Sequence, residues 1–144
     1  MKINIYLFFL ITLLTVIPRP TAHAGNSSVV LEDSHALHAS FLDFSFARIN
    51  ILNRSYIHTP ENILIELAGA SFVASYRRVE PSSINVEVRQ TGSPRTPFIG
   101  VLRYTESVYE SNGGCRIGVI DGPFSPVRHR RVTEIFRYVQ NRWQ

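Results

Sequence analysis

Arg128-His129-Arg130-Arg131 places three guanidinium groups and an imidazole in four consecutive residues, and Arg137 follows shortly after. Each guanidinium is a planar fork that can grip a carboxylate or phosphate through two parallel N–H bonds. On an extended strand Arg128 and Arg130 would point one way, while His129, Arg131 and Arg137 would point the other. The chemistry expected of this segment is capture of an anion: a lipid head group, a cell-envelope polymer or an acidic protein. The plainer reading gives the same arginines the task of solvating an edge strand and discouraging sheets from pairing.

Other reactive groups are scattered. Cys115 stands alone in Asn112-Gly113-Gly114-Cys115-Arg116, an expected exposed loop in which Arg116 would favour the thiolate. No histidine is spaced to serve it as a base. Glu32, Asp33, His35 and His38 could in principle share a metal ion, His35 and His38 being one helical turn apart. Acidic residues ahead of a helix are equally what any helix start prefers. Asp43 lies in an apolar stretch between Leu42 and Phe44. In a pocket between a helix and a curved sheet it could act as a general base, with Tyr76, Tyr104 or Tyr138 as hydrogen-bond donors. Two glycosylation sequons, at Asn26 and Asn53, read as chance occurrences. No nucleophile elbow, phosphate loop, calcium loop or dinucleotide fingerprint occurs, so no cofactor is called for and no catalytic residue is assigned.

Charge narrows the partners. Of 15 basic residues only Lys2 is a lysine, and the formal net charge is +4. Residues 1–24 have the pattern of a secretory signal: Lys2, an apolar run over 3–17, then Ala22-His23-Ala24 as a cleavage site. The apolar run is short for a bilayer span, which needs roughly 20 residues. The expected product is exported to the periplasm or beyond, and begins with a flexible lead-in over 25–33 followed by one domain over 34–144. Losing Lys2 and Arg19 with the leader would lower the net charge to +2, which argues against nucleic acid as the partner. The positive charge gathers at the end: residues 111–144 hold six arginines and two acids.

The elements that must position these groups follow from periodicity. Leu37, Phe41, Phe44, Arg48 and Ile51 recur at helical spacing over 34–51, with Ser34 as N-cap. Phe44, Phe46 and Arg48 also alternate, leaving a strand open for the second half. Thr59-Pro60-Glu61 predicts a second, short helix carrying Ile63, Leu64 and Leu67 and ending at Gly69. The period then changes to two, predicting strands over 72–79, 84–89, 98–110 and 131–139, with a 17-residue loop over 111–127. Arg103 opposite Glu134, and Glu106 opposite Arg131, would register the last two strands as antiparallel neighbours. Asn141-Arg142 would make a tight turn, and Trp143 a terminal apolar plug.

The whole is an α+β plan: a helix, and a short second one, packed on a four-stranded antiparallel meander. In element order alone it resembles cystatin-like and NTF2-like domains, where a curved sheet wraps a helix. Element order carries no function. The residues point to a non-enzymatic binding module with an arginine-rich edge at Arg128, His129, Arg130, Arg131 and Arg137. The alternatives are a small enzyme built on Asp43, or a subunit that pairs its last strand with another copy.

Overall fold

Helix α1 spans Ala36–Ser55 and turns one stripe, Phe41, Ser45 and Ile49, into the interior of a computed structural model that describes residues 28–144. The buried stripe runs through Ile49 and Leu52, whereas Ile51 is exposed. The N-cap is His35, not Ser34. The His35 Nδ1 accepts from the Leu37 N–H at 3.1 Å, and the Ser34 hydroxyl turns instead to Glu32. Ser45, fully buried, donates back to the Phe41 carbonyl at 2.7 Å. No described helix is long and apolar enough to cross a membrane. The expected leader over 1–24 lies outside the described residues.

Seven strands form one open antiparallel sheet: β1 Val29–Val30, β2 Leu64–Ala68, β3 Ser71–Val79, β4 Asn85–Gln90, β5 Phe98–Gly113, β6 Ser125–Val139 and β7 Arg142–Trp143. The expected four-stranded meander is corrected in two ways. First, the short second helix is a strand. Leu64–Ala68 pairs with Ser71–Ala74 and Ser75 across a hairpin in which Gly69 takes φ +66°, so the glycine ends a strand rather than a helix. Second, β3 and β4 are not neighbours. Both lie along the same edge of the long β5, β4 against its first half and β3 against its second. Between them the 3-10 turn Pro81–Ser83 fills the gap, and the Ser83 hydroxyl accepts the Thr105 N–H at 3.1 Å.

Strand β1 falls within the expected lead-in and pairs with β4, and the Leu31 N–H bonds the Val88 carbonyl. The expected long loop over 111–127 is mostly ordered: β5 continues to Gly113, helix α2 spans Arg116–Asp121, and β6 begins at Ser125. Val119 of α2 is fully buried, and the short helix covers the sheet face that carries Ala74 and Ser111. At the other end Gln140 and Asn141 both have positive φ, the geometry of a two-residue hairpin, and Trp143 is buried as expected.

The register of β5 with β6 is shifted by one residue from the expected one. Leu102 faces Glu134, Arg103 faces Thr133, and Glu106 faces Arg130. This puts Val132, Glu134, Phe136 and Tyr138 on the α1 side of the sheet with Leu102 and Tyr104. The slip matters because it exchanges faces for a whole strand. The core gathers there: Phe41, Ile49, Val79, Val88, Leu102, Tyr104 and Trp143, with Phe44 and Phe136 packed against them. Phe41 lies against Gly100, whose missing side chain leaves room for the ring.

Candidate anion-binding site

Beyond the C-terminal end of α1 the sheet face is uncovered by apolar side chains, and arginines occupy it. The pairing register places Arg77 of β3 and Arg128 of β6 on either side of Val108 of β5. Two inter-strand spacings separate their backbones by roughly 10 Å, a span that two arginine side chains can close. They line one cavity of about 210 Å³ with Glu106, Ser107, Val108, His129 and Arg130.

A β-bulge helps to aim Arg128. The pairing runs Val108 to Arg128 and then Tyr109 to Pro126, so Val127 is the extra residue of β6. Below it, Arg130 is held. Its Nε and Nη2 donate to Glu106 Oε2 at 2.8 and 2.6 Å, and the Tyr56 hydroxyl donates to Glu106 Oε1 at 2.7 Å. Glu106 is only 6% exposed, yet both of its oxygens are satisfied. Desolvation, then the bond to Glu106, push the Tyr56 hydroxyl above the ordinary tyrosine range. A half-buried acid is satisfied alike: Glu134 accepts from the Tyr104 hydroxyl at 2.8 Å and from Arg48 Nε at 3.2 Å.

With Glu106 neutralised by Arg130, the remaining charge at the cavity is that of Arg77 and Arg128. Neither has a carboxylate within ion-pair distance among the described residues. Arg77 packs over the Tyr56 ring, 5.6 Å from its centre. It also borders two neighbouring clefts, one with Asn53, Arg54 and Thr59, the other with Tyr56 and His58. The local arrangement is chemically suited to an anion: two exposed arginines from separate strands flank Val108 and line one cavity.

The five arginine-edge residues therefore divide. Arg128 and Arg130 present their side chains to the cavity, whereas His129 borders it from a strand position whose ring turns to the other face of the sheet, where its Nδ1 meets the Ser107 hydroxyl at 2.9 Å. Arg131 and Arg137 register with Thr105 and Ile99 and lie on the opposite face of the sheet. Arg77 was not legible as a site residue, because Tyr76-Arg77-Arg78-Val79 looks like any polar-faced strand until β3 is docked beside Val108.

The other candidates are dispersed. Asp43 is exposed on α1 and is not among the residues that line the cavity of Arg77 and Arg128. Tyr104 is committed to Glu134, Tyr76 stacks on Tyr109 and Phe124, and Tyr138 packs on Phe98 and Trp143. His38 meets Asp33 at 3.2 Å while His35 caps the helix, and no group of three metal-ligating side chains occurs among the described residues. Cys115 is exposed as expected and caps α2, its Sγ accepting the Gly118 N–H at 3.4 Å. The Asn53 amide grips the Val79 backbone from both sides, donating through Nδ2 at 2.9 Å and accepting through Oδ1 at 2.8 Å. No family model, curated protein or solved structure matches the chain, and the expected likeness to cystatin-like and NTF2-like domains is not confirmed.

Proposed function

We propose that this chain is an exported, non-enzymatic binding module that captures an anionic group at the cavity between Arg77 and Arg128. The observation that carries the reading is the placement of these two arginines on either side of Val108 with no carboxylate partner among the described residues, beside an Arg130–Glu106 pair that is already neutral. Two free cations held by the strands on either side of β5 repel each other, and a shared carboxylate or phosphate between them relieves that repulsion. An acidic protein segment or an anionic envelope polymer supplies such groups. Export rests on the composition of residues 1–24.

The test is titration of the full chain with inorganic phosphate and with poly-glutamate, read by the arginine Nε–H resonances. Perturbation confined to Arg77 and Arg128, and abolished by Arg77→Glu with Arg128→Glu, is the expected result. Equal perturbation of Arg131, Arg137 and Arg142 would reduce the cluster to a solvated edge and end the reading.

A further inference from the structure

Strand β6 has a free side. Its even-numbered residues from Arg128 onward bond β5, because Arg137 exchanges both backbone hydrogen bonds with Gln144 on the far side. By the same alternation the N–H and C=O groups of His129, Arg131, Thr133 and Ile135 point away from β5. No described strand meets them, since β7 pairs only with Tyr138 and Val139. The open edge is bounded at one end by Pro126 and the Val127 bulge, and at the other by β7. It covers residues 128–136, and Val132 is its centre.

We infer that this edge pairs with the same edge of a second copy of the chain, antiparallel, about a two-fold axis at Val132. That register uses every open position. Arg128 faces the partner's Phe136, His129 its Ile135, Arg130 its Glu134 and Arg131 its Thr133. No two like charges stand directly opposite, and Arg130 meets an acid twice over. The two Arg131 side chains lie on a diagonal, the weaker relation. Neighbouring registers are worse. Centring on Arg130 or Arg131 sets arginine against its own copy, and centring on Thr133 drives His129 against Arg137, whose edge β7 already occupies.

Side-chain chemistry agrees with the backbone. Ile135 is 66% exposed on a face that is otherwise Arg131, Thr133 and Arg137, and the pairing sets the partner's His129 beside it. The charge is self-complementary along the strand: basic in its first half, neutral and acidic in its second. A sheet continuous through two copies also extends the arginine cavity, because the partner's Phe136 arrives beside Arg128. Isologous pairing of this kind closes at two copies and removes the longest open edge among the described strands.

The test is sedimentation velocity on the full chain over a wide concentration range, with charge variants at Thr133, an exposed position outside the core. Thr133→Arg, set against the partner's Arg131, should weaken the dimer by about tenfold, and Thr133→Glu should tighten it. In a Cys115→Ser background, Val132→Cys should form an inter-copy disulfide under mild oxidation, because directly opposed residues at such a position lie about 4.5 Å apart. Ile135→Cys should not, its two copies being staggered by roughly 20 Å. A chain that stays monomeric throughout overturns the inference, even if it takes up an acidic peptide at this edge. A dimer indifferent to both Thr133 charges, or one that cross-links through Ile135→Cys and not Val132→Cys, overturns it too.

Discussion

Replacing Glu106 by Gln should move stability and anion affinity in opposite directions. The carboxylate is nearly excluded from water and accepts three hydrogen bonds, from Tyr56 at 2.7 Å and from two Arg130 nitrogens at 2.8 and 2.6 Å. A hydrogen bond to a charged group contributes about 1.5–3 kcal/mol and a neutral one about 0.5–1.5. The amide keeps an acceptor oxygen, and the freed Arg130 side chain is 69% exposed and regains water. The expected net loss of stability is therefore about 1–2 kcal/mol. The same change removes the one carboxylate that lines the cavity with Arg77 and Arg128. At roughly 8 Å and an effective dielectric of about 20 that charge opposes a bound anion by about 2 kcal/mol, and salt reduces this to about 1. Phosphate should then bind about fivefold more tightly. Urea unfolding measures the first quantity and calorimetric titration at fixed ionic strength the second. If Glu106→Gln loses stability while phosphate affinity stays level or falls, the anion does not sit beside this carboxylate and the assignment of the cavity is wrong.

Three further outcomes follow from the packing. Gly100→Ala would drive a methyl into the Phe41 ring at Cε2 and Cζ, and that ring is itself wedged against Phe44, Phe136 and Trp143. Overpacking should cost about 1–3 kcal/mol and shift the Trp143 emission; a neutral result would mean that the ring is free to move. Asn53→Ala deletes both bonds to the Val79 backbone and strands the polar groups that made them, so a lowered urea midpoint corresponding to about 2 kcal/mol is expected. Desolvation and the bond to Glu134 raise the Tyr104 hydroxyl above the ordinary tyrosine value of 10.0. Its contribution is complete below that pH and is lost as pH rises beyond it, because the unfolded chain ionises first. Tyr104→Phe should lower stability near neutral pH by about 1 kcal/mol and flatten the alkaline loss, and parallel alkaline curves for the two proteins would refute the coupling.

What could be read from the chain alone divides along physical lines. Period-two alternation marked 84–89 because that strand turns Val86 and Val88 to the core and Asn85, Glu87 and Arg89 away from it, whereas 72–79 buries Ala74 and Val79 on opposite faces. Gln140-Asn141 and the buried Trp143 close the chain close to where a tight turn and an apolar plug were expected. The segment 61–69 misled for an identifiable reason. Thr59-Pro60-Glu61 is a sound helix start, but Ile63, Leu64 and Leu67 suit a strand as readily, and pairing with β3 outweighs a local preference of a few tenths of a kcal/mol per residue. The loop over 111–127 failed likewise. Its glycines and Pro123 read as breakers, yet a helix of one and a half turns suffices to bury Val119 against Gly113 of β5. The cavity was half legible. The run Arg128-His129-Arg130 announces itself in sequence, whereas Arg77 becomes its counterpart only through a pairing with β5 that no local pattern encodes.

The single-residue slip between β5 and β6 shows which force sets such a pairing. Arg103 opposite Glu134 and Glu106 opposite Arg131 would have made two exposed ion pairs, each contributing about 0–1 kcal/mol. That register would also have turned Val132, Phe136 and Tyr138 to the outer face and brought Arg131, Thr133, Ile135 and Arg137 under α1. A buried aromatic or aliphatic side chain contributes about 1.5–3 kcal/mol, so the apolar set decides the face and the charges must adapt. They do so without being abandoned. Glu134, carried inward with Phe136, finds Tyr104 and Arg48, and Glu106 finds Arg130 and Tyr56. One consequence bears on function: with the core's register, Arg128 arrives on the same face as Arg77. In the slipped register it would lie on the other face, and the two cations would have the sheet between them.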